Sequence, residues 1–327
     1  MSCIQDFLLR DNNILIDRFK RSDLCTDAVT DIFLTHFHTD HTVGLSVRLL
    51  STGLIRVHCS LVTKRLLENE YGSFDCIIPY KVDMIYRLND DVKFKFFDAN
   101  HSPGSVMIYF NILETKVMYT GDFRLCDDFE SKFDDIIVDR LYYDESITTR
   151  DFNPVSYDDT ATALKTFIDE HGGVIYINMS TLGFEQVLGK LDLIFSLDDR
   201  VSSVRKKHIH TLIPKKIVPK HRLILSHRKY RLEGETWIDP GMLFLLCSDE
   251  HIICTRTTKS YDYDPNRVEY KSSDKHNNHL IYKDVNGVYK LLYCTHPSMS
   301  EVNDIARVTQ AKEVIPCGNI LSRTKNK

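Results

Sequence analysis

Within THFHTDHTVGL (35–45), His36, His38, Asp40 and His41 fall inside six positions. Four such groups so close together are costly unless something holds them. In an extended segment, residues two apart point to the same side. His36 and His38 therefore address one point, while Asp40 and His41, coming after the segment, address a neighbouring one. Imidazole nitrogens and carboxylate oxygens suit zinc at ~2.0–2.2 Å. An ion held this way lowers the pKa of bound water from ~15.7 towards ~7, and two ions ~3.5–4 Å apart stabilise the attacking and departing oxygens of an in-line displacement. The chemistry implied is hydrolysis at neutral pH with Zn2+, one ion or two, as cofactor. Asp40 is placed to orient or deprotonate the water. A lone histidine is usually a surface or satisfied core residue, but that reading fits four clustered ligands poorly.

Further acids and histidines come where strand-like segments end. ILIDRF carries Asp17, VKFKFFDA (92–99) leads to Asp98 and His101, KVMYT (116–120) leads to Asp122, and LYYD (141–144) ends on Asp144. Repeated delivery of such residues at strand ends is how a rigid sheet builds a site. A different chemistry is written in residues 205–231, which hold ten Lys or Arg, four His and no acid in a chain of net charge −4. Phosphate contacts supply most non-specific nucleic-acid affinity and make it salt-sensitive. Lys215, Lys216, Lys220 and Arg222 are read as such contacts in preference to a merely solvated face. Ile213 and Ile217 within the run are read as core.

The elements that must position these residues follow from period and punctuation. DIFLT (31–35) is a short apolar run bounded by polar residues, a buried strand, and VMIYF (106–110) is β-branched and aromatic. After Asp144 the composition changes. ESITTRDFNPVSYDD reads as a linker, TATALKTFIDE (160–170) as a helix stopped by Gly172-Gly173, VIYIN (174–178) as a strand and EQVLGKLDLIF (185–195) as a helix. That alternation predicts a second α/β lobe. LIYKDVNGVYKLLY (280–293) predicts a hairpin turning at Asn286-Gly287. SMSEVNDIARVTQA follows as a helix with Ser298 and Glu301 at capping-box spacing, and EVIPCG as a closing strand. The 327 residues, 43% hydrophobic and 27% charged, are those of a globular protein of one large domain or two. The longest apolar runs are too short to span a bilayer, and no secretory signal is visible at the start. Nine scattered cysteines without a CxxC pair favour reduced thiols in the nucleus or cytoplasm.

HxHxDH is the signature of the metallo-β-lactamase fold, and the chain resembles that superfamily, with His101 in ANHSPGSVMIYF and Asp122 in YTGDFR in the expected order. The resemblance implies one ion on His36, His38, His101 and Asp122. It implies a second position lined by Asp40, His41, His296 and a bridging Asp122, with Asp17 in support. Three later elements resemble the β-CASP nucleases: Asp144 in LYYDES, His296 in YCTHPSMSE and Val314 in EVIP, the last as site support. Within that group DHTVGLS, DANHSPGSVM and TGDFR are most similar to the DNA-crosslink-repair nucleases of the Apollo and Artemis kind. The implied fold is α/β, a metallo-β-lactamase αββα sandwich (1–154) with an inserted β-CASP α/β lobe (155–285) and a return to the first domain (286–327).

The implied activity is that of a metal-dependent phosphodiesterase, a 5′-to-3′ DNA exonuclease with some endonucleolytic ability, in DNA repair or end processing in the nucleus. The partner is DNA, single-stranded or at duplex ends, with no membrane. Asp144, Asp40 and His296 are the expected catalytic groups, and His296 is placed to protonate the leaving oxygen. Ser180 and Thr181 are expected near the terminal phosphate. RNA processing and a catalytically weak zinc-binding scaffold are the alternatives. Two departures from the family pattern carry expectations. Thr295 replaces an aspartate before His296, so that imidazole is expected to be less firmly oriented. Phe184 stands where the family has a lysine at the 5′-phosphate pocket, so discrimination of phosphorylated ends is expected to be weak.

Overall fold

The computed structural model describes residues 9, 11–24, 28–146, 154–179, 182–227, 235–248, 251–256, 269–270, 280–283 and 288–317. The chain divides into two compact units, Met1–Arg150 with His296–Lys327, and Asp151–Thr295.

The first unit begins with a parallel sheet in the order β1 (Ile14–Ile16), β2 (Thr30–Phe33), β3 (Ile55–Ser60), β4 (Ile77–Tyr80). β5 (Ile85–Arg87), β6 (Val92–Asp98), β7 (Val106–Ile112), β8 (Thr115–Tyr119) and β9 (Arg140–Asp144) form a second sheet in reverse spatial order. Strand alternation decides what each sheet faces. Phe33 of β2, Phe94 and Phe96 of β6, Ile108 and Phe110 of β7 and Val117 of β8 share one core between the two sheets. Phe33 meets Phe94 and Phe110 edge-on at 4.9 and 4.8 Å, the orientation aromatic quadrupoles prefer. The alternate residues face outward. Ile32, Val57 and Cys59 pack with Leu49 and Leu50 of α1 (Val47–Leu50) and Leu67 of α2 (Leu61–Tyr71). Phe97, Met107, Met118 and Leu141 pack with Phe133 of α3 (Phe129–Phe133) and with Val302 and Ile305 of the last helix.

The second unit has α4 (Tyr157–Glu170), β10 (Ile175–Asn178), α5 (Glu185–Lys190), β11 (Ser196–Leu197), α6 (Ser203–Leu212) and β12 (Leu223–Ser226). β13 (Thr236–Ser248), β14 (His251–Arg256), β15 (Glu269–Tyr270), β16 (Ile281–Lys283) and β17 (Tyr289–Tyr293) complete its sheet. α4 starts earlier than its apolar spacing implies, because Ser156 caps it by accepting from Asp159 N. The helix expected over 185–195 stops at Lys190. Leu191, Leu193 and Phe195 fit a two-residue period equally well, and Phe195 bridges Ile217 in parallel instead. β16 and β17 pair antiparallel, as the hairpin reading requires, while its turn at 286–287 lies outside the described residues. β17 also pairs with β13, so residues 288–293, expected after the return point, sit within this unit's sheet.

The chain re-enters the first unit at His296 and forms α7 (Met299–Val308) and β18 (Glu313–Cys317). β18 adds to β9 in parallel. The capping box expected at Ser298 and Glu301 is present.

Candidate metal centre

Asp17 leaves β1 with φ +51, in the left-handed region that Asp tolerates better than most side chains. Its Oδ1 accepts from Thr35 N at 2.8 Å, and its Oδ2 accepts from Thr35 Oγ1 at 2.7 Å and lies 2.7 Å from His41 Nδ1. Thr35 thus gives its one hydroxyl proton to Asp17 and accepts from His36 Nδ1 at 3.0 Å. That places the lone pair of His36 on Nε2, turned toward His38. Thr35 is crowded on its other side by Gly121 (φ +56), where a Cβ would stand 2.9 Å from Thr35 Cβ. Glycine there lets the Asp122 loop close onto the histidine segment.

His101 is held by a second network. Ser105 Oγ accepts from His101 N and Ser102 N at 3.1 Å each. Gly104 O accepts from Ser60 Oγ at 2.6 Å and from Thr63 Oγ1 at 3.1 Å. A Cβ on Gly104 would come within 2.6 Å of Val62 Cβ, so this loop too depends on a glycine.

One donor atom from each of His36, His38, His101 and Asp122 lies within 4.8 Å of the others. His38 Nδ1 is 3.0 Å from His36 Nε2 and 3.1 Å from His101 Nε2, and Asp122 Oδ2 is 3.7 and 3.6 Å from those same two nitrogens. Four ligands at ~2.0–2.1 Å around a tetrahedral ion lie ~3.3–3.4 Å apart. Three imidazoles and a carboxylate at this spacing fit zinc in both chemistry and geometry.

Asp122, Asp144 and His296 form a second group that shares Asp122. His296 Nδ1 is 2.6 Å from Asp144 Oδ2 and 3.9 Å from Asp122 Oδ2. Thr295 therefore does not leave His296 loosely held, because Asp144 supplies the carboxylate from another strand. His41 Nε2 lies 3.3 Å from Asp122 Oδ1. Asp40 is half-buried and belongs to neither group, though its charge acts on His296.

Electrostatics sort the imidazoles. Burial and the neighbouring His41, His38 and His101 hold His36 well below the usual histidine range, neutral as a ligand must be. Burial opposes charge on His41 as well, but Asp122 and Asp17 outweigh it and raise that ring well above the usual range. His296 shows the same contest: burial lowers its pKa, and Asp144 and Asp122 bring it up to about 9. Asp122 itself, despite burial, is held well below the carboxylate range by His41, His296 and His101.

Val314 departs from expectation. It stands 41% exposed on β18 opposite Leu141, and the position level with Asp144 is Cys317. The matched motif places the strand, and the residue that reaches the site's level comes three positions later. Sequence reasoning missed Thr35, whose only signal is its place directly before HxHxDH. It also missed Tyr119, buried at the end of β8, whose phenol is pushed well up by burial and by nearby Cys317, Asp17, Asp122 and Asp144.

Residues of the basic run are partly in structural use. Arg205 is buried and paired with Glu185 at 2.6 Å. Lys216 Nζ donates to Leu191 O, and Arg222 donates to Ile168 O and His171 O at the end of α4. Lys207, Lys215 and Lys220 are exposed. Ser180 and Thr181 lie outside the described residues. Phe184 is 3% exposed in the second unit's core, its ring edge-on to Tyr293 at 5.3 Å.

No family model matches the chain. It is 38% identical over 117 residues to 5' exonuclease Apollo of Gallus gallus, covering 35% of this chain and 25% of that protein. It is 38% identical over 111 residues to the DNA cross-link repair protein SNM1 of Arabidopsis thaliana, covering 33% and 22%, and 38% identical over 130 residues to Protein artemis of Danio rerio, covering 35% and 20%. Each alignment spans a quarter or less of the curated relative. A solved structure, a protein of unknown function from Enterococcus faecalis V583, shares the fold with TM-score 0.56 at 13% identity, over 88% of this chain and 75% of that one. Over about a third of its length, this chain is similar to proteins named 5' exonuclease Apollo, DNA cross-link repair protein SNM1 and Protein artemis.

Proposed function

We propose that the chain is a metal-dependent DNA nuclease that hydrolyses phosphodiester bonds, working 5′ to 3′ from an end with some endonucleolytic ability, in DNA repair or end processing in the nucleus. The observation that carries this is the convergence of donor atoms from His36, His38, His101 and Asp122 within 4.8 Å of one another. The names of the relatives support it: one is called a 5' exonuclease and another a DNA cross-link repair protein. In this reading the first unit, with its two sheets between outer helices, is a metallo-β-lactamase αββα domain, and the second unit is its inserted β-CASP lobe.

His36, His38, His101 and Asp122 would hold one zinc, and Asp122 and His296, with His41 and Asp40 nearby, a second, with Asp144 bonded behind His296. Bound zinc supplies Lewis-acid polarisation of the phosphoryl oxygen and an acidified water. Asp17 and Thr35 keep His36 in the tautomer that presents Nε2. Asp40 orients the attacking water and takes its proton. Asp144 keeps His296 oriented, and His296 completes the second position or gives a proton to the departing oxygen. Lys207, Lys215 and Lys220 contact the DNA backbone.

The test is purified protein with 5′-labelled single-stranded, duplex and hairpin DNA beside RNA, with and without chelator. Chelator-sensitive shortening of DNA from its 5′ end is expected. Cleavage of RNA alone, or of neither, overturns the reading. Matched 5′-phosphate and 5′-hydroxyl substrates in the same assay address end preference directly. Phe184→Lys would not, since it would bury an amine in the second unit's core.

A further inference from the structure

Glu301 lies outside both candidate ligand groups, yet it stands between the segments that carry two of their members. Its Oε1 accepts from Arg124 Nε at 2.9 Å and from Leu125 N at 3.1 Å. Its Oε2 accepts from Ser298 N at 2.8 Å and Ser298 Oγ at 3.3 Å. Arg124 is two residues beyond Asp122, and Ser298 is two residues beyond His296. One carboxylate therefore grips the same position after each of two side chains that must converge, on segments 177 residues apart in the chain. Both partners of the ion pair are largely shielded, with Arg124 and Glu301 side chains 9% and 14% exposed. Charge-assisted bonds in such surroundings are short and directional. Arg124 N adds a further anchor by donating to Ala99 O at 2.9 Å, which ties the same loop to the approach of His101.

The capping-box pattern explains only half of this. A cap needs Ser298 and one oxygen of Glu301. The other oxygen is committed to the Asp122 loop.

We infer that the Arg124–Glu301 pair is a positioning device that sets the separation of Asp122 and His296, and with it the affinity of the site for metal. This rests on the metal-dependent reading above. Neither residue touches the ion or substrate; both act through the backbone of the residues that do. Groups behind metal ligands typically change affinity by roughly 10- to 100-fold when removed.

The experiment titrates the full chain, stripped of metal, with zinc chloride alone in a calorimeter, and follows thermal unfolding of each variant. Glu301→Gln keeps an acceptor for the cap while removing the charge that faces Arg124. Arg124→Gln removes the pair from the other side and leaves the cap whole. Ser298→Ala removes the cap hydroxyl and leaves the pair. Zinc affinity is expected to fall roughly 10- to 100-fold in the first two variants and to stay near wild type in Ser298→Ala, which lowers the melting temperature instead. Wild-type zinc affinity in both Glu301→Gln and Arg124→Gln overturns the inference, as does a loss in all three variants that follows their melting temperatures. A wild-type chain that takes up no zinc sinks the metal-dependent reading, and this inference with it.

Discussion

In the first unit Asp17, Thr35, His36, His41, His101, Asp144 and His296 are all buried, and their bonds converge on one another or on Asp122. In the second unit several buried polar residues pair between separate elements instead. Thr160 donates to Leu292 O at 3.1 Å, Ser226 to Asp198 at 2.7 Å, and Arg205 pairs with Glu185. Buried polar groups must be bonded in either case. What differs is whether the bonds leave donor atoms pointing at a common point. Only the first arrangement can hold an ion. The second joins strand to helix, and it shows that a basic run counted in sequence overstates the cations available to a ligand.

The comparison breaks most visibly at Asp122, which belongs to both donor groups. Asp122→Asn is expected to lower cleavage by about a thousandfold or more, equivalent to the several kcal/mol that Lewis-acid assistance supplies, with the circular dichroism spectrum unchanged. A folded variant that cuts at the wild-type rate would remove the basis for the centre.

Asp144 acts one step further out. Asp144→Asn leaves a side chain of the same shape but no charge to orient His296. Activity is expected to drop roughly 10- to 100-fold, the usual cost of losing a carboxylate behind a ligand histidine. An effect as large as that of Asp122→Asn would mean that Asp144 contacts the ion or substrate itself.

Asp31 provides a control inside the first unit. It accepts bidentately from Arg56 at 2.6 Å and lies 2.7 Å from His58 Nε2, while Tyr80 OH is 3.0 Å from His58 Nδ1. This network joins β2, β3 and β4 to one another, in the manner of the second unit's pairs. Asp31→Asn is expected to cost about 2 kcal/mol, below the usual figure for breaking a buried pair because Arg56 is half-exposed, with any cleavage by the folded protein unchanged. Burial raises the pKa of Asp31, but hydrogen bonds from His58 and Arg56 outweigh it, leaving a net shift downward. A depressed folded-state pKa means that stabilisation is complete above the unfolded value of ~3.9 and fades as pH falls through the lower folded value. Denaturant titrations from pH 7 to pH 2 should therefore show a shallower acid limb in Asp31→Asn than in wild type. Parallel curves would remove Asp31 from the account.

The smallest effects separate the two uses of the basic run. Changing Lys207, Lys215 and Lys220 together to Gln should flatten the slope of log affinity for DNA against log salt by up to ~2–3 units. Arg222→Gln should leave that slope alone and cost about 1 kcal/mol of stability, since its guanidinium serves carbonyls at the end of α4. If the slopes moved the other way round, exposure would be the wrong guide to which cations meet phosphate.

The residues of the candidate metal groups were legible in the sequence because they are local or motif-borne. His36, His38 and His41 lie within six positions, and His101 and Asp122 each follow shortly after a strand whose alternation is plain. Strands β1, β2, β6 to β9 and β18 were legible from their apolar patterns, while β3, β4 and β5 were not read. The 185–195 segment was not legible, since LDLIF satisfies both a helical and a two-residue period, and only pairing with the 217 region decides between them. Phe184 was read as a missing phosphate contact, and its ring proved to be core.

By itself the sequence determined which atoms can serve as ligands and in what order they follow one another. Side-chain chemistry and strand periodicity are local properties, and they survive without knowledge of the fold. Tertiary structure alone decided their partners. Asp144 reaches His296 across 152 residues and Glu301 reaches Arg124 across 177, while Val314 faces solvent and Arg222 caps a helix. Those outcomes depend on which strands lie side by side and what their packing leaves buried. No spacing along the chain encodes that, because hydrogen bonds and desolvation act between neighbours in space.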